Sequence, residues 1–108
     1  MTFDEEAGRF AAAESGTDSF KLLYKAAFGL MTEQPANAAF FFVIGVAAHS
    51  YVLQYEDQGV SPEFADKAKA VMVGFNQKIA QALASAPDAA IKLLGEVSAD
   101  YQFNVHEF

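Results

Sequence analysis

The chain has 108 residues and a formal net charge of −7, from 14 acidic and 7 basic side chains. That balance argues against DNA or RNA as a partner, because nucleic-acid affinity rests on neutralising phosphates, and favours a basic protein instead. The absence of cysteine excludes disulfides, thiolate nucleophiles and thiolate metal sites, and 53% hydrophobic residues, 11 of them Phe, leave a small domain with aromatic surface to hide.

The length suits one domain, residues 1–108. Its start, Met1-Thr2-Phe3-Asp4-Glu5-Glu6, is acidic where an export signal is basic and then apolar, so the expected location is the cytoplasm. Thr2 and Glu5 have capping-box spacing, in which hydroxyl and carboxylate each satisfy an orphan backbone donor at a helix start. The first helix, 3–14, gathers Phe3, Ala7, Phe10 and Ala11 on one side and stops at Ser15-Gly16. It is short enough to be a mobile arm. Thr17 or Asp18 is the expected cap of the second helix, which runs to about Thr32. Phe20, Leu23, Ala27, Leu30 and Met31 form its inner face, widened by Tyr24 and Phe28.

Pro35 ends that helix and suits the first turn of the next. From Ala38 to Ala48 no side chain is polar, a run too long for a typical strand and rich in alanine, so residues from Pro35 or Ala36 to Tyr55 are expected to form a central helix. Three apolar stripes run along it: Phe40, Ile44, Ala47 and Tyr51; Phe41, Ala48 and Tyr55; and Phe42, Val46, His49 and Leu53. A helix apolar on every side has to be surrounded. The run approaches the roughly 20 residues of a membrane span. Asn37, His49, Ser50 and Gln54, the acidic Glu56-Asp57 that follows, and the lack of flanking Lys or Arg argue against a span.

Ser61-Pro62-Glu63 restarts the chain with a cap, a proline and a carboxylate at a helix N-terminus. The fourth helix, 62–84, places Phe64, Ala68, Val71, Phe75, Ile79, Ala82 and Leu83 inward and Asn76 among the outward residues. Gly74 interrupts it at a cost of about 1 kcal/mol relative to Ala, which suggests a close crossing, with Gly45 as a candidate partner, or an ordinary surface glycine. Ser85 and Asp88 repeat the capping-box spacing ahead of a fifth helix carrying Ala90, Leu93, Leu94 and Val97 and fading near Asp100. Beyond it, apolar Tyr101, Phe103 and Val105 alternate with polar neighbours, the signature of an extended segment. The expected fold is all-α: a four- or five-helix bundle with short connections and an extended C-terminal tail.

Chemistry is sparse. His49 interrupts the apolar helix with a group that titrates near neutrality, but Gly45, Val46, Val52 and Leu53 at its helical neighbours are neither ligands nor orienting carboxylates. No Glu-x-x-His pair, nucleophile turn or phosphate-binding glycine loop exists, so no catalytic residue, metal or cofactor is expected and an enzyme has no support in the motifs. What remains is a binding surface. Tyr51 and Tyr55, flanked by Gln54, together with Phe42, His49, Tyr101 and Phe103 are the candidate interface or pocket residues, since aromatics are enriched in interface cores. The leading expectation is a cytoplasmic homodimer acting by protein–protein binding, as an adaptor, a regulator or a neutralising, immunity-like protein for a basic partner. The competing one is a ligand-binding or catalytic helical bundle with an apolar pocket near His49, Tyr51 and Phe42.

Overall fold

In a computed structural model describing residues 1–108, the chain is all-α, with five α-helices, one 3₁₀ turn and no strand. The helices are α1 (Phe3–Ala12), α2 (Thr17–Glu33), α3 (Ala38–Tyr55), α4 (Pro62–Leu83) and α5 (Pro87–Asn104), and the 3₁₀ turn, Pro35–Asn37, leads into α3. Two start signals act as their spacing predicts. The Thr2 backbone N–H donates to Glu5 Oε1 at 2.8 Å while the Glu5 N–H donates to Thr2 Oγ1 at 3.2 Å, a complete capping box. Ser61 Oγ accepts from the Phe64 N–H at 3.1 Å and caps α4.

Two other starts differ from expectation. Gly16, at φ 136°, is the N-cap of α2, and neither Thr17 nor Asp18 takes that place; Ser19 Oγ closes the turn by donating to the Gly16 carbonyl. Only glycine adopts that backbone conformation readily. Ser85 does not cap α5, because its hydroxyl donates back to the Gln81 carbonyl at 2.6 Å, leaving Ala86 as the cap.

The core is organised by α3. Helix α2 packs along it, with Phe20 stacked on Tyr51 (ring centroids 4.1 Å apart), while α4 lies against another side of α3 and α5 leans mainly on α4. Buried Phe41, Ile44, Ala47, Ala48, Tyr51 and Val52 mark the covered arc of α3. Helix α1 is docked across α2 and α4 and is not a free arm. Phe3 meets Phe41, Phe10 meets Phe20 edge-on, and Lys69 Nζ donates to the Ala13 carbonyl just past the helix end. This second contact face on α4 also explains Asn76, which is buried where an outward position was expected. It lies two turns from Lys69 on the same side, and its amide oxygen and nitrogen have no hydrogen-bond partner.

Gly45 and Gly74 do not cross. A Cβ on Gly45 would overlap the Phe28 ring of α2, so the missing side chain lets an aromatic seat itself against the α3 backbone, whereas Gly74 faces open space. The C-terminal region differs as well. Helix α5 continues through Tyr101-Gln102-Phe103-Asn104, and only residues 105–108 are non-helical. Ala90, Leu94, Val97, Tyr101 and Val105 recur every three or four residues, and that helical period overrides the short alternation.

The segment Pro35–Tyr55 is long and apolar enough to cross a membrane by length and composition, and 39% of its most apolar window is buried within the chain. Within α3 only Ala39, Phe42, Leu53 and Gln54 are exposed, and the other residues outside the core are half-buried.

Two measurements check this packing. Gly74→Ala is expected to raise stability by about 1 kcal/mol, since it adds helix propensity with nothing to strike, and Gly45→Ala to lower it by about 1–3 kcal/mol because Phe28 must be displaced; denaturant midpoints read both. The Glu5 carboxyl is held below its ordinary value, first by the Thr2 backbone N–H and then by the Thr2 hydroxyl. A lowered folded pKa contributes stability above the unfolded pKa and loses it as pH falls through the folded value. In acid titrations followed by circular dichroism, Glu5→Gln should therefore depend less on pH in that window than the unsubstituted chain.

Candidate functional site

On α3 the arc opposite the core carries Ala39, Phe42, Val46 and Leu53, flanked by His49 toward α2 and by Val43 and Ser50 toward α5. Phe42 is 53% exposed and Leu53 72%, large values for residues on the most apolar helix of the chain. Because α5 leans on α4, it diverges from this strip and leaves a groove of about 490 Å³ between them. Ala39, Phe42, Val43 and Val46 form one wall, and Leu94, Ser98, Tyr101 and Gln102 the other. Where the helices meet, the Tyr101 hydroxyl donates to Ser50 Oγ at 2.8 Å. That contact fixes one end of the groove.

The electrostatics of the strip set it apart. Between Pro35 and Tyr55 there is no Asp, Glu, Lys or Arg, whereas α1, α2, α4 and α5 each carry charges of both signs. The nearest charged pair on the α2 side is Lys21 with Glu56, which closes the far end of the α2–α3 pair. A surface without charge is cheap to desolvate, and it lets a second acidic copy approach without setting carboxylates against each other.

The candidate residues divide among three environments. Phe42 and Tyr101 line the groove. His49 lies beside it, its ring 4.6 Å from that of Tyr24 and 6.2 Å from that of Phe28, and none of the five principal cavities includes it. Tyr51 is fully buried, and Tyr55 packs beside it on Phe64, with ring centroids 5.0 Å apart in both pairs. Gln54 is exposed near the end of α3, and Phe103 is 70% exposed on α5 outside the groove. Tyr51 and Tyr55 thus share contacts inside the fold and not a surface patch. The groove residues Val46 and Leu94 carry no chemistry that singles them out in the sequence; the signal for Val46 is its place in the third stripe of α3. No group of His, Asp and Glu side chains is arranged to hold a metal ion.

Comparisons with protein families, with curated proteins and with solved structures find no match.

The buried Tyr51 hydroxyl has no hydrogen-bond partner, and burial, with a smaller contribution from Tyr55, pushes its pKa above the ordinary tyrosine value. Such a group contributes stability that is complete below the unfolded pKa and is lost as pH rises through the folded one. Tyr51→Phe removes an unsatisfied buried oxygen without changing the ring. It should raise stability by about 1 kcal/mol at neutral pH and lessen the loss above about pH 10, both read from denaturant midpoints.

Proposed function

We propose that this chain is a non-enzymatic helical protein that works by protein–protein binding, with its five helices forming a bundle and its uncharged α3 strip joining two copies as a homodimer. The observation carrying this reading is the coincidence, on one face, of protruding apolar side chains, an adjacent groove and a complete lack of charge. A two-fold interface needs a surface that is its own complement. Phe42 and Leu53 as knobs beside a groove of about 490 Å³ meet that requirement, since each copy offers both parts. The acidic remainder, net −7, then stays outside for a basic protein partner, in the manner of an adaptor, regulator or neutralising protein. A cytoplasmic setting agrees with the cysteine-free sequence.

A ligand-binding reading has one observation in its favour, the groove itself, and in that reading the pocket lies between α3 and α5 with Phe42 and Tyr101, away from His49 and Tyr51. Its apolar lining suits an uncharged, apolar ligand.

Sedimentation velocity at micromolar concentration is expected to give twice the mass of one chain, falling to one chain for Leu53→Asp or Phe42→Asp with helicity unchanged. A single-chain mass for the unsubstituted protein, or flotation with lipid vesicles in place of self-association, would overturn the dimer.

A further inference from the structure

On α3, Ala39, Phe42, Val46, His49 and Leu53 lie alternately three and four residues apart, the spacing at which two helices interlock along a shared seam. None of the five is buried, whereas Ile44 and Tyr51, on the opposite side of the helix, are 0% exposed. The chain covers the back of α3 fully and the seam only in part. Leu53, 72% exposed, is the least covered of the large apolar side chains, and the groove between α3 and α5 is out of its reach. The nearest residue of the groove's α3 wall, Val46, lies two turns or about 10 Å back along the helix axis, and the wall itself is centred near Phe42.

We infer that two copies pair through α3 in antiparallel orientation, with Leu53 of each chain entering the α3–α5 groove of the other. This geometry rests on the α3 strip joining two copies. With the two-fold axis level with the midpoint between Ala47 and Ala48, Phe42 stands opposite the partner's Leu53 and Val46 opposite the partner's His49. Leu53 thereby arrives at the middle of the partner's groove, so each copy supplies the apolar side chain that the other's groove lacks. A parallel pair instead sets every residue level with its own copy, and the Leu53 side chains meet each other two turns beyond the groove. Charge separates the two orientations as well. The next seam position after Leu53 is Glu56, whose carboxylate pairs with Lys21. Parallel pairing brings Glu56 against the partner's Glu56. Antiparallel pairing sets it level with the partner's Ala39 in the first turn of α3, where the helix dipole is positive and no side chain caps the helix. The two Val46 side chains remain close, offset by about 4.5 Å along the axis.

Oxidative cross-linking of mixed single-cysteine chains reads the orientation. Phe42→Cys mixed with a mass-tagged Leu53→Cys should give the 42–53 link, and neither chain alone should link to itself, because like positions are then separated by about 16 Å along the axis. Since both changes trim the seam, a nitroxide attached at Gln54→Cys, on an exposed residue outside it, supplies a second reading. Electron-spin distances should place the two labels about 20 Å apart along the axis. Links of 42 to 42 and 53 to 53, or labels at position 54 lying side by side, would overturn the antiparallel pairing while leaving an α3 dimer. A single-chain mass in sedimentation velocity would overturn the dimer and this geometry together.

Discussion

Helix α3 offers apolar side chains around its whole circumference, and a helix of that kind is stable in water only to the extent that neighbours cover it. Here α2 and α4 cover one arc. Phe20 stacks on Tyr51, Phe28 sits against the backbone at Gly45, and Phe41, Ile44 and Ala48 fill the interior. The remaining helices are arranged by what that core still needs: α1 closes the space between α2 and α4 with Phe3 and Phe10, and α5 rests on α4 with Val97 inward. They cover the strip of Phe42, Val46 and Leu53 only in part, leaving Val46 half-buried and Phe42 and Leu53 exposed. The architecture thus buries its most apolar helix fully on one side and incompletely on the other.

Magnitudes indicate what such a strip can do. Full burial of a large apolar side chain is worth about 1.5–3 kcal/mol, so two copies of Phe42, Val46 and Leu53, each partly exposed, yield on the order of 10 kcal/mol. Association costs about 4–15 kcal/mol in lost motion before any contact is counted. The strip therefore supports a moderate self-association and no more, unless the groove beside it is filled as well. Charge decides the direction of approach. Carboxylates on every other helix oppose a second acidic chain, while the α3 face presents none.

Much of this fold is legible in the sequence where one local rule acts alone. Thr2 with Glu5 and Ser61 with Pro62 mark their helix starts, because the capping groups have no competing acceptor. Ser85 misleads because the preceding turn offers it the Gln81 carbonyl, and Asn76 misleads because its burial depends on where α1 lies, which no period along α4 records. Tyr101 to Asn104 fit two periods at once, and contacts with the rest of the fold select the helical one. The same limit governs the candidate site. The stripe of Phe42, Val46, His49 and Leu53 is readable from spacing, but nothing in α3 tells which of its three stripes the chain leaves uncovered. Tyr51 and Tyr55 have the composition of a surface patch and the position of a core, a difference set by Phe20, Phe64 and Phe108 from distant segments.

The chain contains no cysteine, so one introduced thiol reports unambiguously on which faces meet in solution. Oxidative cross-linking of Val46→Cys, compared with Gln77→Cys on the exposed side of α4, puts the α3 strip to the most direct test. Self-association through the α3 strip predicts rapid, concentration-dependent formation of linked pairs at position 46 and little at position 77. Equal rates at the two positions, or faster linkage at 77, would contradict it.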